Sequence, residues 1–222
     1  MYLDAKLIFK IAELLVKVEL HCHTNRYSLC SLASPAEMLG RLVETGYEAV
    51  FITEHNQVWG DDELDEIQSQ FPQLKIFPGV ELTFDNPAGF SHLLVLGSND
   101  PDVLALASPA DVLTWAAKQN LLTVLAHPFR FDGADWPIRS QASAEILPDA
   151  VEYFSPNVDA AQAKLALLAA RQLDIRLVNA DDAHGLDYIN QFWVETNRPF
   201  DTPAELKKII VEGDYENCGI GK

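Results

Sequence analysis

Two hydrophobic rhythms alternate along the chain. Compact apolar runs, "VKVEL", "EAVFITE", "KIFPGVELTF", "SHLLVLG", "LLTVLAH", "AVEYF" and "IRLVNAD", have the branched and aliphatic content of buried strands. Between them, apolar residues fall three and four apart, the spacing of helices that bury one face. Ser34 with Pro35 and Ser108 with Pro109 mark helix starts, Thr202 caps the last helix, and Gly46 and Gly213 mark stops. "DDELDEIQSQF" reads as a short acidic helix and "NVDAAQAKLALLAARQL" as a long Ala- and Leu-rich one. Pro78 and Gly79 interrupt the third strand run, which predicts an edge or a bulge there. Leu3, Leu7, Ile11, Leu14 and Leu15 predict an amphipathic N-terminal helix packed on the body. Asp4, Lys6, Lys10, Glu13 and Lys17 break that stretch too often for a signal or membrane segment. Seven strands alternating with helices predict an α/β fold, a largely parallel sheet closed or nearly closed into a TIM-like β/α barrel. The expectation is a single domain, with an N-terminal helix over 1–17, the barrel over 18–200 and a C-terminal helix and tail over 201–222.

Composition changes this picture in two respects. Sixteen basic against 33 acidic side chains give a net charge of −17, a field that repels polyanions. Long duplex nucleic acid and anionic membranes are therefore poor partners, whereas a small ligand bound through local positive charge is not excluded. Three cysteines, an odd number, do not make a disulfide framework and point to the reducing cytoplasm.

The chemistry gathers at the strand ends. The first run ends in His21 and His23, two apart, so their side chains share a face while Cys22 points away as a small core residue. The second ends in Glu54 and His55, the third carries Glu81 and the fifth ends in His127. The last ends in Asp181, Asp182 and His184. His92 enters its strand instead of leaving it. All six histidines of the chain are accounted for in this way. A lone histidine is more often a core or surface residue than a ligand; the whole set at strand ends, with Glu81 and Asp182, points to a metal cluster. Imidazole with carboxylate suits zinc, manganese or iron. Eight donors exceed what one tetrahedral ion takes, so at least two divalent ions are implied, with Glu81 placed to bridge them. Around such ions Arg130, directly after "HPF", is the first candidate to grip a phosphate and Arg26 a weaker one; Asn56 and Asn157 are loop donors. Each has a structural alternative, ion pairing for the arginines and turn geometry for the asparagines. Phe131 and Trp136 lie in a loop over the mouth, where packing is the simplest role and stacking on a substrate the other.

The ordered motifs "ELHCHTNRYS", "FITEHN", "FPGVEL", "HLLVLG", "LAHPFR" and "DDAH" resemble those of the PHP family, named for its polymerase and histidinol phosphatase members. The resemblance runs from Glu19 to His184. It implies a distorted seven-stranded barrel with two or three metal ions that hydrolyses a small phosphate mono- or diester by a metal-bound hydroxide. Carried over by position, His21, His23, Glu81 and Asp182 would hold one ion and Glu81, His92 and His127 a second. His55 and His184 would serve a third and the catalysis. Two departures stand out. Many members follow the histidine pair with an acidic residue or a histidine; here "NRYSLCS" has only Cys30 as a donor, which implies a weak or absent third ion. Glu54 replaces a more usual Asp. Two other readings are an amidohydrolase-like metal hydrolase, whose barrels also open with two histidines, and a metal-holding domain with a structural or interaction role.

Overall fold

A computed structural model describes residues 15–86, 89–131 and 146–220. Nine strands form one sheet: β1 Val16–Cys22, β2 Ala49–Ile52, β3 Lys75–Asn86, β4 Gly89–Leu96, β5 Leu122–Ala126, β6 Ala150–Glu152, β7 Arg176–Val178, β8 Phe192–Thr196 and β9 Tyr215–Gly219. Five α-helices are described: α1 Pro35–Glu44, α2 Asp61–Gln70, α3 Pro109–Lys118, α4 Ala160–Leu173 and α5 Pro203–Glu212. Ser34, Ser108, Asp159 and Thr202 accept first-turn N–H bonds as N-caps, and Gly213 ends α5 at φ 78°. These starts follow the local physics of unsatisfied first-turn donors.

The strand order is β7-β6-β5-β4-β3-β2-β1-β8-β9. β1, β2 and β3 run parallel, as do β5, β6 and β7, while β4 is antiparallel to both its neighbours. Side chains bridge the two outer strands. The Tyr215 hydroxyl donates to Leu177 O at 2.6 Å, and Asn179 Nδ2 donates to Cys218 O at 2.9 Å, so the sheet curls into a nearly closed barrel. One apolar cluster, including Leu20, Phe51, Leu94, Val124, Ala150 and Phe200, fills the interior. Two others seal the helices against the outside of the sheet, one around α3 and α4 and one around α1 and α2.

Four expectations need correction. The sheet has nine strands instead of seven, because a hairpin-like pair, β8 and β9, is added beside β1. β9 reads "YENCG", too polar to announce itself, and exists through its pairing with β8. It occupies what was expected to be a tail after the last helix. Pro78 and Gly79 lie in a strand paired on both sides: Pro78 is the last residue paired with β2 and Gly79 the first paired with β4. A Cβ on Gly79 would stand 3.1 Å from Leu96 and Thr53, so the glycine permits a close approach of neighbouring chains. Val16 and Lys17 begin β1 where a helix end was expected; the rest of that helix, residues 1–14, and Trp136 lie outside the described residues. Among the described residues no helix is long and apolar enough to cross a membrane.

Candidate metal centre

Six histidines, Glu81 and Asp182 converge at one end of the barrel. β1 and β5 lead into their histidines there, and β4, running the opposite way, carries His92 near its start. That reversal explains why this one histidine enters a strand. Main-chain pairing sets the register. His23 N–H donates to Ala183 O and Ala183 N–H to His21 O, both at 3.0 Å, which lays the histidine pair beside Asp182 and His184. Glu81 N–H donates to Glu54 O at 3.1 Å and Asn56 N–H to Glu81 O at 2.9 Å, which brings His55 beside Glu81. His127 and Asp182 take left-handed backbone conformations, φ 25° and 45°. Each is a strained state costing about 1–3 kcal/mol that persists only where its surroundings demand it.

Glu81 is the hub. Its Oε2 lies 3.1 Å from Nε2 of both His21 and His23 and 3.0 Å from His55 Nδ1. Its Oε1 lies 2.7 Å from His92 Nδ1 and 3.0 Å from His127 Nε2. Asp182 Oδ1 is 3.3 Å from His21 Nε2 and 3.5 Å from His23 Nε2. Three donor sets are compact enough to share a cation: His21, Glu81, His127 and Asp182; His55, Glu81 and His92; and His23, His55 and His184. The eight expected residues are all here, grouped differently from the family pattern: His127 stands with His21, and His23 with His55 and His184.

The donors fit a metal on two grounds. His21 Nε2, His23 Nε2, Glu81 Oε2 and Asp182 Oδ1 are buried without a hydrogen bond, although each of the two nitrogens lies within 3.5 Å of both oxygens. Short separations without hydrogen-bond angles are what lone pairs aimed at a common point produce. Six carboxylates, Glu19, Glu54, Glu81, Glu152, Asp181 and Asp182, are buried with no buried Lys or Arg among the described residues. Such a concentration of buried anions requires cations or protons. The directions of the pKa shifts follow from the same field. Burial opposes charge on His21, His23 and His127, yet Asp182 and Glu81 outweigh it and raise all three. Burial also works against ionised Glu81 and Asp182, but the surrounding imidazoles, His21 foremost, hold both well below the usual carboxylate range. Burial and the neighbouring His23 lower His184 to about 4, so its imidazole is neutral at pH 7.

Around the cluster, further residues hold the donors still. Arg130 Nη1 and Asn157 Nδ2 donate to Asp182 Oδ2 at 3.1 and 2.7 Å, leaving Oδ1 turned to the histidines. Glu54 accepts from Thr24 N–H at 3.1 Å and Trp59 Nε1 at 3.3 Å, pinning the loop behind His23. Asp181 accepts from Tyr47 at 2.6 Å and from the N–H groups of Asn190, Gln191 and Phe192. The structure places Arg26 in an ion pair with Glu63, its guanidinium 5.0 Å from the Trp59 ring. Asn56 and Thr83 exchange two hydrogen bonds, a loop clamp at φ 51°. Phe131 packs its ring 5.6 Å from His92 and 5.9 Å from His127. Cys22 is core, and the exposed Cys30 belongs to none of the three donor sets. Sequence reasoning passed over Glu19 and Glu152. The available signal was an acid inside an apolar strand run, in "VKVEL" and "AVEYF".

The nearly closed barrel thus carries at one mouth a His and carboxylate cluster whose donor sets could hold metal ions. The sequence matches the PHP domain family over residues 19–173, and the chain belongs to that family. No curated protein matches it. Among solved structures it is similar to a two-domain protein from Bacteroides vulgatus ATCC 8482 described as containing a predicted PHP-like metal-dependent phosphoesterase (TM-score 0.72, 14% identity). That alignment covers 92% of this chain, which spans only 65% of the other. It is also similar to PsfC from Pseudomonas syringae PB-5123 (TM-score 0.64, 14% identity, 93% of this chain and 92% of that one). A third similar structure is an amidohydrolase from Chromobacterium violaceum with bound sulfate and no metal (TM-score 0.60, 14% identity, 76% of this chain and 87% of that one).

Proposed function

We propose that the protein is a metal-dependent phosphoesterase acting on a small phosphate mono- or diester. The observation that carries the reading is the buried anionic mouth whose unpaired donor atoms converge, with the guanidinium of Arg130 at its edge. His21, Glu81, His127 and Asp182 would hold one ion, His55, Glu81 and His92 a second, and the all-imidazole set a third. Zinc, manganese or iron bound there activates water as a nucleophile and neutralises charge on the phosphoryl oxygens.

The chain's own groups do the rest. Arg130 is part-exposed and, among the described residues, hydrogen-bonds only Asp182 through one nitrogen, which leaves the remainder of its planar fork to an ester oxygen. His55 and His184 are the more exposed members of the cluster, on the solvent side where a leaving group departs. His184 Nδ1–H donates to Asp182 O at 2.9 Å, which leaves the Nε2 lone pair to be offered to an ion or a proton. The net charge of −17 favours small substrates over long polyanions.

Turnover of a panel of phosphate esters, assayed beside cyclic amides with zinc or manganese supplied, tests the reading. Glu81→Ala and His127→Ala are expected to lower phosphoester turnover by several orders of magnitude with the fold retained. Wild-type rates in either variant, or turnover of the amides alone, would overturn it.

A further inference from the structure

Of the buried carboxylates outside the three donor sets, one is hydrogen-bonded to the ring of a cluster histidine. Glu152 ends β6, is fully buried, and belongs to none of the three donor sets. Its Oε2 lies 2.9 Å from His21 Nδ1, and its Oε1 has no hydrogen-bond partner. Among the described residues no lysine or arginine pairs with it. A buried anion with one oxygen unsatisfied is unfavourable for folding. Its one hydrogen bond among the described residues is with His21, whose Nε2 faces both Glu81 at 3.1 Å and Asp182 at 3.3 Å.

We propose that Glu152 is a positioning residue: by accepting the His21 Nδ1–H bond it fixes the ring's tautomer and rotation, so that Nε2 alone is offered to the cation shared with Glu81, His127 and Asp182. A ring nitrogen held by a carboxylate makes the opposite nitrogen a better ligand, and losing such a partner typically weakens metal binding by about 10–100-fold. The site depends on this more than its geometry suggests. His21 is locked on its β1 backbone by the Ala183 pairing, but its ring has no other polar partner on the Nδ1 side.

The inference rests on the metal-binding half of the proposed function and is tested without substrate. Zinc and manganese affinities of the full chain are measured by competition with a chromophoric chelator for wild type, Glu152→Gln and Glu152→Ala. Urea midpoints of the metal-free proteins are recorded alongside. The expected order of affinity is wild type, then Gln, then Ala, the amide oxygen of Gln still accepting the Nδ1–H bond. Ala should lose about 10–100-fold, while the metal-free midpoints hold steady or rise as a buried charge is removed. Equal affinities in all three proteins overturn the proposal. So does a loss of metal-free stability large enough to account for the weaker binding, since Glu152 would then be a structural residue. A wild type that binds zinc but hydrolyses no ester sinks the phosphoesterase reading and leaves this test intact.

Discussion

At the scale of single residues, environment separates side chains that look alike in the sequence. Arg26 and Arg130 both follow a histidine motif. Only Arg130 reaches Asp182, whereas Arg26 is engaged by Glu63 across the loop. Arg130→Ala should therefore lower kcat/KM for a phosphoester by roughly 10- to 100-fold, the loss of a hydrogen bond to a charged group at about 1.5–3 kcal/mol. Arg130→Lys should recover little, because a point charge does not replace the fork. Arg26→Ala should leave KM unchanged; steady-state kinetics on the same ester distinguish the two. The six histidines were legible because histidine is scarce and they gather where strand runs begin or end, and Glu81 and Asp182 through the motifs they share with them. Glu152 and Glu19 were not, because one acid inside an apolar run has no pattern to support it.

At the scale of elements, the helices were the most legible part, since their ends are written in local chemistry. Thr202 and Glu205 form a reciprocal capping box at α5. Thr202→Ala should cost about 1 kcal/mol of stability, read as a shift in urea midpoint at constant slope. Backbone and hydroxyl hydrogen bonds from Asp201 and Thr202 hold Glu205 below its ordinary pKa. A folded-state value lower than the unfolded one contributes stability above the unfolded value, and the contribution disappears as pH falls through the folded one. The melting-temperature gap between wild type and Glu205→Gln should accordingly be present at pH 7 and close in acid; a gap independent of pH would refute the charge-based cap. Strands were less legible than helices. β3 was read as interrupted because Pro78 and Gly79 are disfavoured in a central strand, yet the strand changes partners at that point. β9 carries only Tyr215 and Cys218 as apolar signal and depends on pairing with β8, some twenty residues earlier.

At the scale of the whole molecule, the barrel gathers negative charge that its own cations do not offset. Ions that bind the folded chain and not the unfolded one stabilise it by mass action, by about 2.7 kcal/mol at a hundredfold excess over Kd. Treatment with a chelator should lower the melting temperature, and added zinc or manganese should restore it; calorimetry with no shift in either direction would argue that the cluster is not a metal centre. By itself the sequence determined the alternation of strands and helices, the helix ends and the inventory of donors, because each is set by neighbours within a turn or by residue type. Only the tertiary structure decided that β4 runs backwards to deliver His92, that two further strands join the sheet, and which donors stand together. Those outcomes depend on main-chain pairings between segments as far apart as Cys22 and Ala183, and no local preference encodes them.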